Sequence, residues 1–181
     1  MASVTPTHEI RIFGDPVLKA KTPDVTDIDG RLVRLADEMV QVMYDAPGLG
    51  LAAPQVGVQK RFFVYDLGDG TGAHTIVNPT IVESRGEWVY DEGCLSIPKL
   101  YVEILRPKEL LVSGYDLDGN ELRIEADELL GRVIQHELDH LDGVLMFERM
   151  TAEQRKLAMA EWRQLQAEPQ PEPKKRHIRL A

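Results

Sequence analysis

The chain has 181 residues, of which 43% are hydrophobic and 28% charged, and its formal net charge is −9. These values fit one ordinary globular domain, expected over residues 1–168, and argue against a body that binds nucleic acid nonspecifically or reads its sequence. The only cysteine is Cys94, so no intrachain disulfide can form; with no apolar run suited to a signal peptide or a bilayer span, a cytoplasmic protein without a membrane partner is expected.

The first predicted element covers about residues 29–45. Leu32, Leu35, Ala36, Met39, Val42 and Met43 recur at helical spacing with Arg31, Arg34, Asp37, Glu38 and Gln41 between them, so an amphipathic helix covers a core there. The following APGLGLAAPQVGV breaks the helix into an irregular turn, because its glycines and prolines suit no regular element. GLGLAA does not read as a dinucleotide fingerprint, since it follows a helix and runs into Pro54.

Six short segments rich in Val, Ile, Leu and aromatics come next: RFFVYDL, HTIVNPTIV, EWVY, LYVEIL, ELLVSGYDL and NELRIE. Asp118-Gly119 between the last two signals a hairpin turn. With no helix between successive strands, antiparallel pairing is favoured. Two more helices follow, over about 127–141 and 152–167. The expected fold class is therefore α+β: antiparallel β-sheets packed around a central metal-binding HExxH helix, with an N-terminal helix and a C-terminal helix. After Glu168 the sequence PQPEPKKRHIRLA reads as a Pro-rich, then basic, tail, flexible and able to touch an anionic partner such as ribosomal RNA.

The helix over 127–141 carries the chemistry. QHELDHLDG at 135–143 holds the HExxH pattern. On a helical wheel Leu130, Val133, Ile134, Leu138 and Leu141 form an apolar arc, while Glu128, Arg132, Gln135, Asp139 and Asp142 gather opposite it. His136 and His140 stack at the arc's edge, and Glu137 falls inside it. Burying a lone carboxylate costs several kcal/mol unless something compensates it. A nearby metal cation and its water supply that compensation, so the segment predicts a metal site.

Two imidazoles leave the coordination incomplete. An extension to HExxHxxGxxH fails, because Gly143 fits but Met146 stands at the last ligand position. Glu161, on the last helix, is one remaining third ligand and would make a zinc endopeptidase. Cys94, in the turn-like EGCLS at 92–96, is the better one: a thiolate binds a divalent cation strongly and would leave a fourth position for water. Ligand softness permits zinc, iron, cobalt or nickel.

Together, GLGLAAPQ at 48–55, EGCLS at 92–96, QHELDHLDG at 135–143 and the opening IRIFGDPVLK resemble the motifs of the peptide deformylases, in order and at similar separations. The resemblance runs from about residue 9 to 150. It implies that Cys94, His136 and His140 bind one divalent metal, Fe2+ in the cell with Zn2+, Ni2+ or Co2+ in purified protein, and that the substrate is the N-formylmethionine of nascent peptides. It implies that Glu137 is the proton carrier and that the Gln55 amide and the Leu95 N–H meet the reacting oxygen. Gly48, Leu49 and Gly50 would pass close to the bound peptide, and Val133 would wall the methionine pocket. Arg132, toward the polar arc, is the poorer wall. Some relatives hold the peptide with an arginine after the CLSxP segment; here Tyr101 and Arg106 occupy that stretch, and neither inherits the role. A binding protein without turnover is a third reading, disfavoured by the intact Glu137 and Gln55.

Overall fold

The computed structural model describes residues 8–168. The tail expected over 169–181 lies outside the described residues.

Helix α1 (Gly30–Asp45) starts where the Asp29 side chain accepts hydrogen bonds from the N–H groups of Arg31 and Leu32, both at 3.0 Å. That N-cap satisfies two of the donors a helix start leaves unpaired. Leu32, Ala36, Met39, Val42 and Met43 are buried, the face that the spacing predicts. They pack on Leu51, Phe62, Val64 and Val77.

Seven strands follow: β1 (Gly50–Ala52), β2 (Phe62–Tyr65), β3 (His74–Arg85), β4 (Trp88–Cys94), β5 (Ile97–Arg106), β6 (Glu109–Tyr115) and β7 (Glu121–Asp127). Their pairings are all antiparallel, in a five-stranded sheet ordered β1-β2-β3-β6-β7 and a separate β4-β5 hairpin. The six expected strands are present, and the hairpin turn after β6 falls at Asp118-Gly119. One expectation fails: the glycine-rich stretch after α1 is not wholly irregular. Gly50–Ala52 pairs in register with Phe63–Tyr65 as an edge strand. Small residues obscure this strand in the sequence, because the close approach of other groups replaces the usual β-branched pattern.

Helix α2 (Glu128–Leu141) touches both sheets. Val133, Ile134 and Leu141 pack with Phe63, Ile76 and Val112 of the larger sheet, while Arg132 reaches the carbonyls of Trp88 and Ile104 in the hairpin. Each such large side chain, fully buried, contributes about 1.5–3 kcal/mol. Gly143 follows the C-cap with φ +71, and a Cβ there would lie 2.4 Å from the Lys19 carbonyl oxygen, so glycine is required on both counts. Helix α3 (Ala152–Ala167) opens with a capping box: Thr151 Oγ accepts from Gln154 N and Gln154 Oε1 accepts from Thr151 N. Its Ala158 and Trp162 close a core with Ile97, Leu100, Ile104 and Phe147, against the hairpin.

The polar arc expected along α2 is not a solvated face. Arg132, Gln135 and Asp139 are all buried, because the β4-β5 hairpin and Arg149 supply them with partners. A helical wheel ranks residues by polarity, and long-range ion pairs are invisible to it.

Candidate metal centre and active site

Three chain segments converge beside α2. Cys94 ends β4 at a register shift: Gly93 pairs with Tyr101, but Cys94 pairs with Ile97. Such a bulge re-aims a side chain, and here it turns the thiol toward α2. The ligand atoms of Cys94, His136 and His140 all lie within 4.8 Å of one another, and Cys94 Sγ is 3.3 Å from His140 Nε2. Donors around a tetrahedral ion with bonds of about 2.0–2.3 Å stand roughly 3.3–3.8 Å apart, so a small inward adjustment would let these three hold one ion. Glu161 is exposed on α3 and is not part of this group.

The electrostatics favour a cation at this position. Burial disfavours charge on His136, yet the neighbouring Cys94 and Glu92 raise its pKa well above the ordinary value. His140 moves the opposite way, lowered by burial and by His136, and so stays a neutral donor. His136 Nδ1 and Glu92 Oε2 are 3.0 Å apart. A proton on Nδ1 donated to that carboxylate leaves Nε2 free as a ligand atom. Glu92 is buried, and although burial alone would raise its pKa, hydrogen bonds from His136 and Arg106 hold it far below the carboxylate range.

Glu137 sits on the buried side of α2, where its position in the apolar arc places it. Burial raises its pKa to about 7, partly opposed by His136. Its Oε2 has no hydrogen-bond partner among the described residues. A buried carboxyl with an unpaired oxygen next to three groups that could hold a metal is suited to exchange a proton with water. Gly50 makes room for it, since a Cβ there would stand 2.5 Å from Glu137 Oε1.

Gln55 is buried. Its Oε1 accepts from the Ala52 N–H at 2.9 Å, which fixes the amide so that Nε2 faces Ser96 Oγ at 3.1 Å and Cys94 Sγ at 3.8 Å. A donor is thereby held beside the thiol.

A cavity of about 570 Å³ opens onto these groups. Gly48, Leu49, Gly50, Gln55, Cys94, Leu95, Val133, His136 and Glu137 all line it, so the expected contact residues come together. Arg132 lines it as well. Spacing carried that signal: Arg132 stands one turn before His136, on the same helix face. Of the two residues after CLSxP, Tyr101 is at the cavity and 65% exposed, whereas Arg106 is buried in ion pairs with Glu92 and Asp139. The sequence reading gave Glu92 no role. The alternation of β4, which buries Glu92 and Cys94 together, is the signal for it.

Comparison with known proteins agrees with this geometry. The profile of the polypeptide deformylase family matches residues 7–156. A peptide deformylase of Halothermothrix orenii is 45% identical over 145 residues, covering 80% of this chain and 94% of its own. One of Acidothermus cellulolyticus is 48% identical over 158 residues, covering 84% and 87%. The crystal structure of a peptide deformylase from Synechococcus elongatus, in complex with actinonin, superposes with a TM-score of 0.83 at 40% identity, covering 87% of this chain and 88% of the other. The chain belongs to the peptide deformylase family, enzymes that hydrolyse the formyl group from the N-terminus of new proteins.

Proposed function

We propose that Cys94, His136 and His140 hold one divalent metal ion, that Glu137 carries the proton, and that together they hydrolyse the formamide of N-formylmethionyl nascent peptides. The observation that carries this reading is the convergence of one sulfur and two imidazoles beside a buried carboxyl, at the wall of a cavity large enough for a methionine and its peptide. The ion at these ligands supplies Lewis acidity, which makes water nucleophilic near neutral pH. Every other step belongs to the chain.

Glu137 takes a proton from the attacking water as the new C–O bond forms at the formyl carbon. It returns a proton to the nitrogen as the C–N bond breaks, giving formate and a free amine. Acid–base help of this kind is worth roughly 10²–10⁴-fold. Gln55 Nε2, held by the Ala52 N–H, and the backbone N–H of Leu95 meet the charge on the formyl oxygen, each contributing about 3 kcal/mol. Gly48, Leu49, Gly50 and Val133, at the cavity, take the peptide and its first side chain.

The resemblance supports Fe2+ as the ion in the cell, with Zn2+, Ni2+ or Co2+ able to replace it, since one thiolate and two imidazoles suit all four. α2 is then the metal-binding helix around which the sheets pack, and residues 1–168 form the catalytic domain. A cytoplasmic location accords with the nascent-chain substrate and the lone cysteine; no helix among the described residues is long and apolar enough to cross a membrane. The basic residues of the 169–181 segment give it a charge suited to ribosomal RNA.

Protein loaded anaerobically with Fe2+ and given formyl-Met-Ala-Ser should release equal formate and new amine. Glu137→Ala should keep the metal and lose turnover; a Glu137→Ala enzyme with undiminished turnover removes the proposed proton carrier. Truncation after Glu168 should leave peptide turnover intact and weaken ribosome binding.

A further inference from the structure

Ser96 stands behind the cavity wall. It is fully buried, and Gln55, Cys94 and Leu95 line the cavity in front of it. Burying a hydroxyl costs free energy unless it is hydrogen-bonded. Among the described residues the side-chain partner of its Oγ is Gln55 Nε2, at 3.1 Å.

A primary amide has one acceptor oxygen and two N–H donors. At Gln55 the oxygen is taken by the Ala52 N–H at 2.9 Å, which also decides which end of the amide is nitrogen. One N–H goes to Ser96 Oγ. The other has only Cys94 Sγ at 3.8 Å, a weak acceptor at that distance, and is therefore the one free for a ligand oxygen.

The distance between Gln55 and Ser96 is itself held from behind. Arg11 N donates to the Gln55 carbonyl at 2.7 Å, and Phe13 N donates to the Ser96 carbonyl at 2.8 Å. Two residues of the opening IRIFGDP segment thus tie the two backbones side by side. The Phe13 ring is anchored in turn, with its centroid 4.8 Å from that of Phe147 and 6.2 Å from that of Trp162.

We propose that Ser96 is a positioning residue: its hydroxyl takes one N–H of the Gln55 amide and so aims the other at the formyl oxygen. The inference rests on the reading that Gln55 meets that oxygen.

A double-mutant cycle tests it, with turnover of formyl-Met-Ala-Ser by the iron-loaded enzyme as the first readout. Gln55→Ala removes the donor outright and should lower kcat by about 10²–10³-fold. Ser96→Ala in the wild-type background should lower kcat by about 10-fold with KM unchanged, because the interaction it weakens belongs to the transition state. In the Gln55→Ala background the same substitution should change kcat by less than about twofold. An equal loss in both backgrounds, or none in either, overturns the proposal. So does metal lost together with the hydroxyl, which would put Ser96 in the service of Cys94.

The second readout needs no turnover. In the NMR spectrum of isotopically labelled, zinc-loaded protein, the Gln55 side-chain amide is the signal pair absent from Gln55→Ala. Its protons should exchange with solvent roughly 2- to 10-fold faster in Ser96→Ala than in the wild type, the population change that losing one hydrogen bond brings. Unchanged exchange overturns the proposal. A Gln55→Ala enzyme with full kcat would instead sink the part of Gln55 in the deformylase reading, while the exchange rates would still decide whether Ser96 holds the amide.

Discussion

The backbone of Gly50 and the carboxyl group of Glu137 are in such close contact that no side chain fits between them: a Cβ on Gly50 would stand 2.5 Å from Oε1 and 2.8 Å from Cδ. Neither side can give way freely. Gly50 is held in register opposite Tyr65, and Glu137 projects from a helix buried against both sheets. Gly50→Ala should therefore displace the carboxyl and lower kcat by about 100-fold, the cost of misplacing a reacting group by roughly 1 Å, with metal content and circular dichroism unchanged. Gly48→Ala should be milder, because its new Cβ meets the tip of the Leu95 side chain, which can rotate away. Full turnover in Gly50→Ala would show that Glu137 acts from some other position.

Removing the thiol separates two sets of ligands. Cys94→Ala leaves only His136 and His140, whose rings stand edge to face with centroids 5.0 Å apart, and two imidazoles do not complete a site that retains metal against a chelator. Metal analysis after dialysis should find the ion lost and turnover lost with it. Glu161→Ala, on the exposed face of α3, should match the wild type in both. The reverse pattern would restore the peptidase ligand set.

These residues also show what the sequence makes legible. His136, Glu137 and His140 are readable because helical spacing is local, and a carboxylate inside an apolar arc is a contradiction that only chemistry resolves. Helix α1 runs as its periodicity predicts, for the same reason. Cys94 is legible through its thiolate chemistry and the motif resemblance but not through spacing, because its approach to α2 depends on a bulge at the end of a hairpin. The ion pairs behind the ligands are not legible at all: nothing in the sequence links Glu92, Arg106, Arg132, Asp139 and Arg149, and only the packing of β4-β5 against α2 joins them. The edge strand β1 was lost for a related reason, since its glycines answer to Glu137 rather than to sheet propensity.

The N-cap of α1 gives a pH signature remote from the metal. Hydrogen bonds from the Arg31 side chain and the Leu32 N–H lower the Asp29 pKa to about 2. Folding thus favours the ionised form, so its contribution is present above the unfolded-state pKa of about 3.9 and is lost as pH falls toward the folded-state value. Asp29→Asn keeps a capping oxygen without the charge. Thermal unfolding followed by circular dichroism should find the wild type ahead of Asp29→Asn at pH 5, with the gap in Tm closing between pH 4 and 2. A constant gap over that range would mean that the charge of Asp29 does not matter to α1.

Glu92 should be the most costly of the charged residues to neutralise. Its two oxygens accept from Arg106 twice, from Arg132 and from His136. In Glu92→Gln the amide group must turn an N–H toward donors whichever way it is flipped: either toward His136 and one arm of Arg106, or toward Arg132 and the other. Arg106 would then keep Asp139 as a carboxylate partner, while Arg132 would keep only the carbonyls of Trp88 and Ile104 among the described residues. Breaking a buried ion pair from one side typically costs about 3–5 kcal/mol, which for a chain of this size corresponds to a Tm lowered by roughly 10 °C. Zinc affinity should fall too, since His136 loses the carboxylate that holds its ring. Arg149→Ala, whose guanidinium is 46% exposed and among the described residues pairs only with Asp139, should lose far less on both measures. A Glu92→Gln protein as stable as Arg149→Ala would mean that the hairpin is held to α2 by its apolar contacts alone.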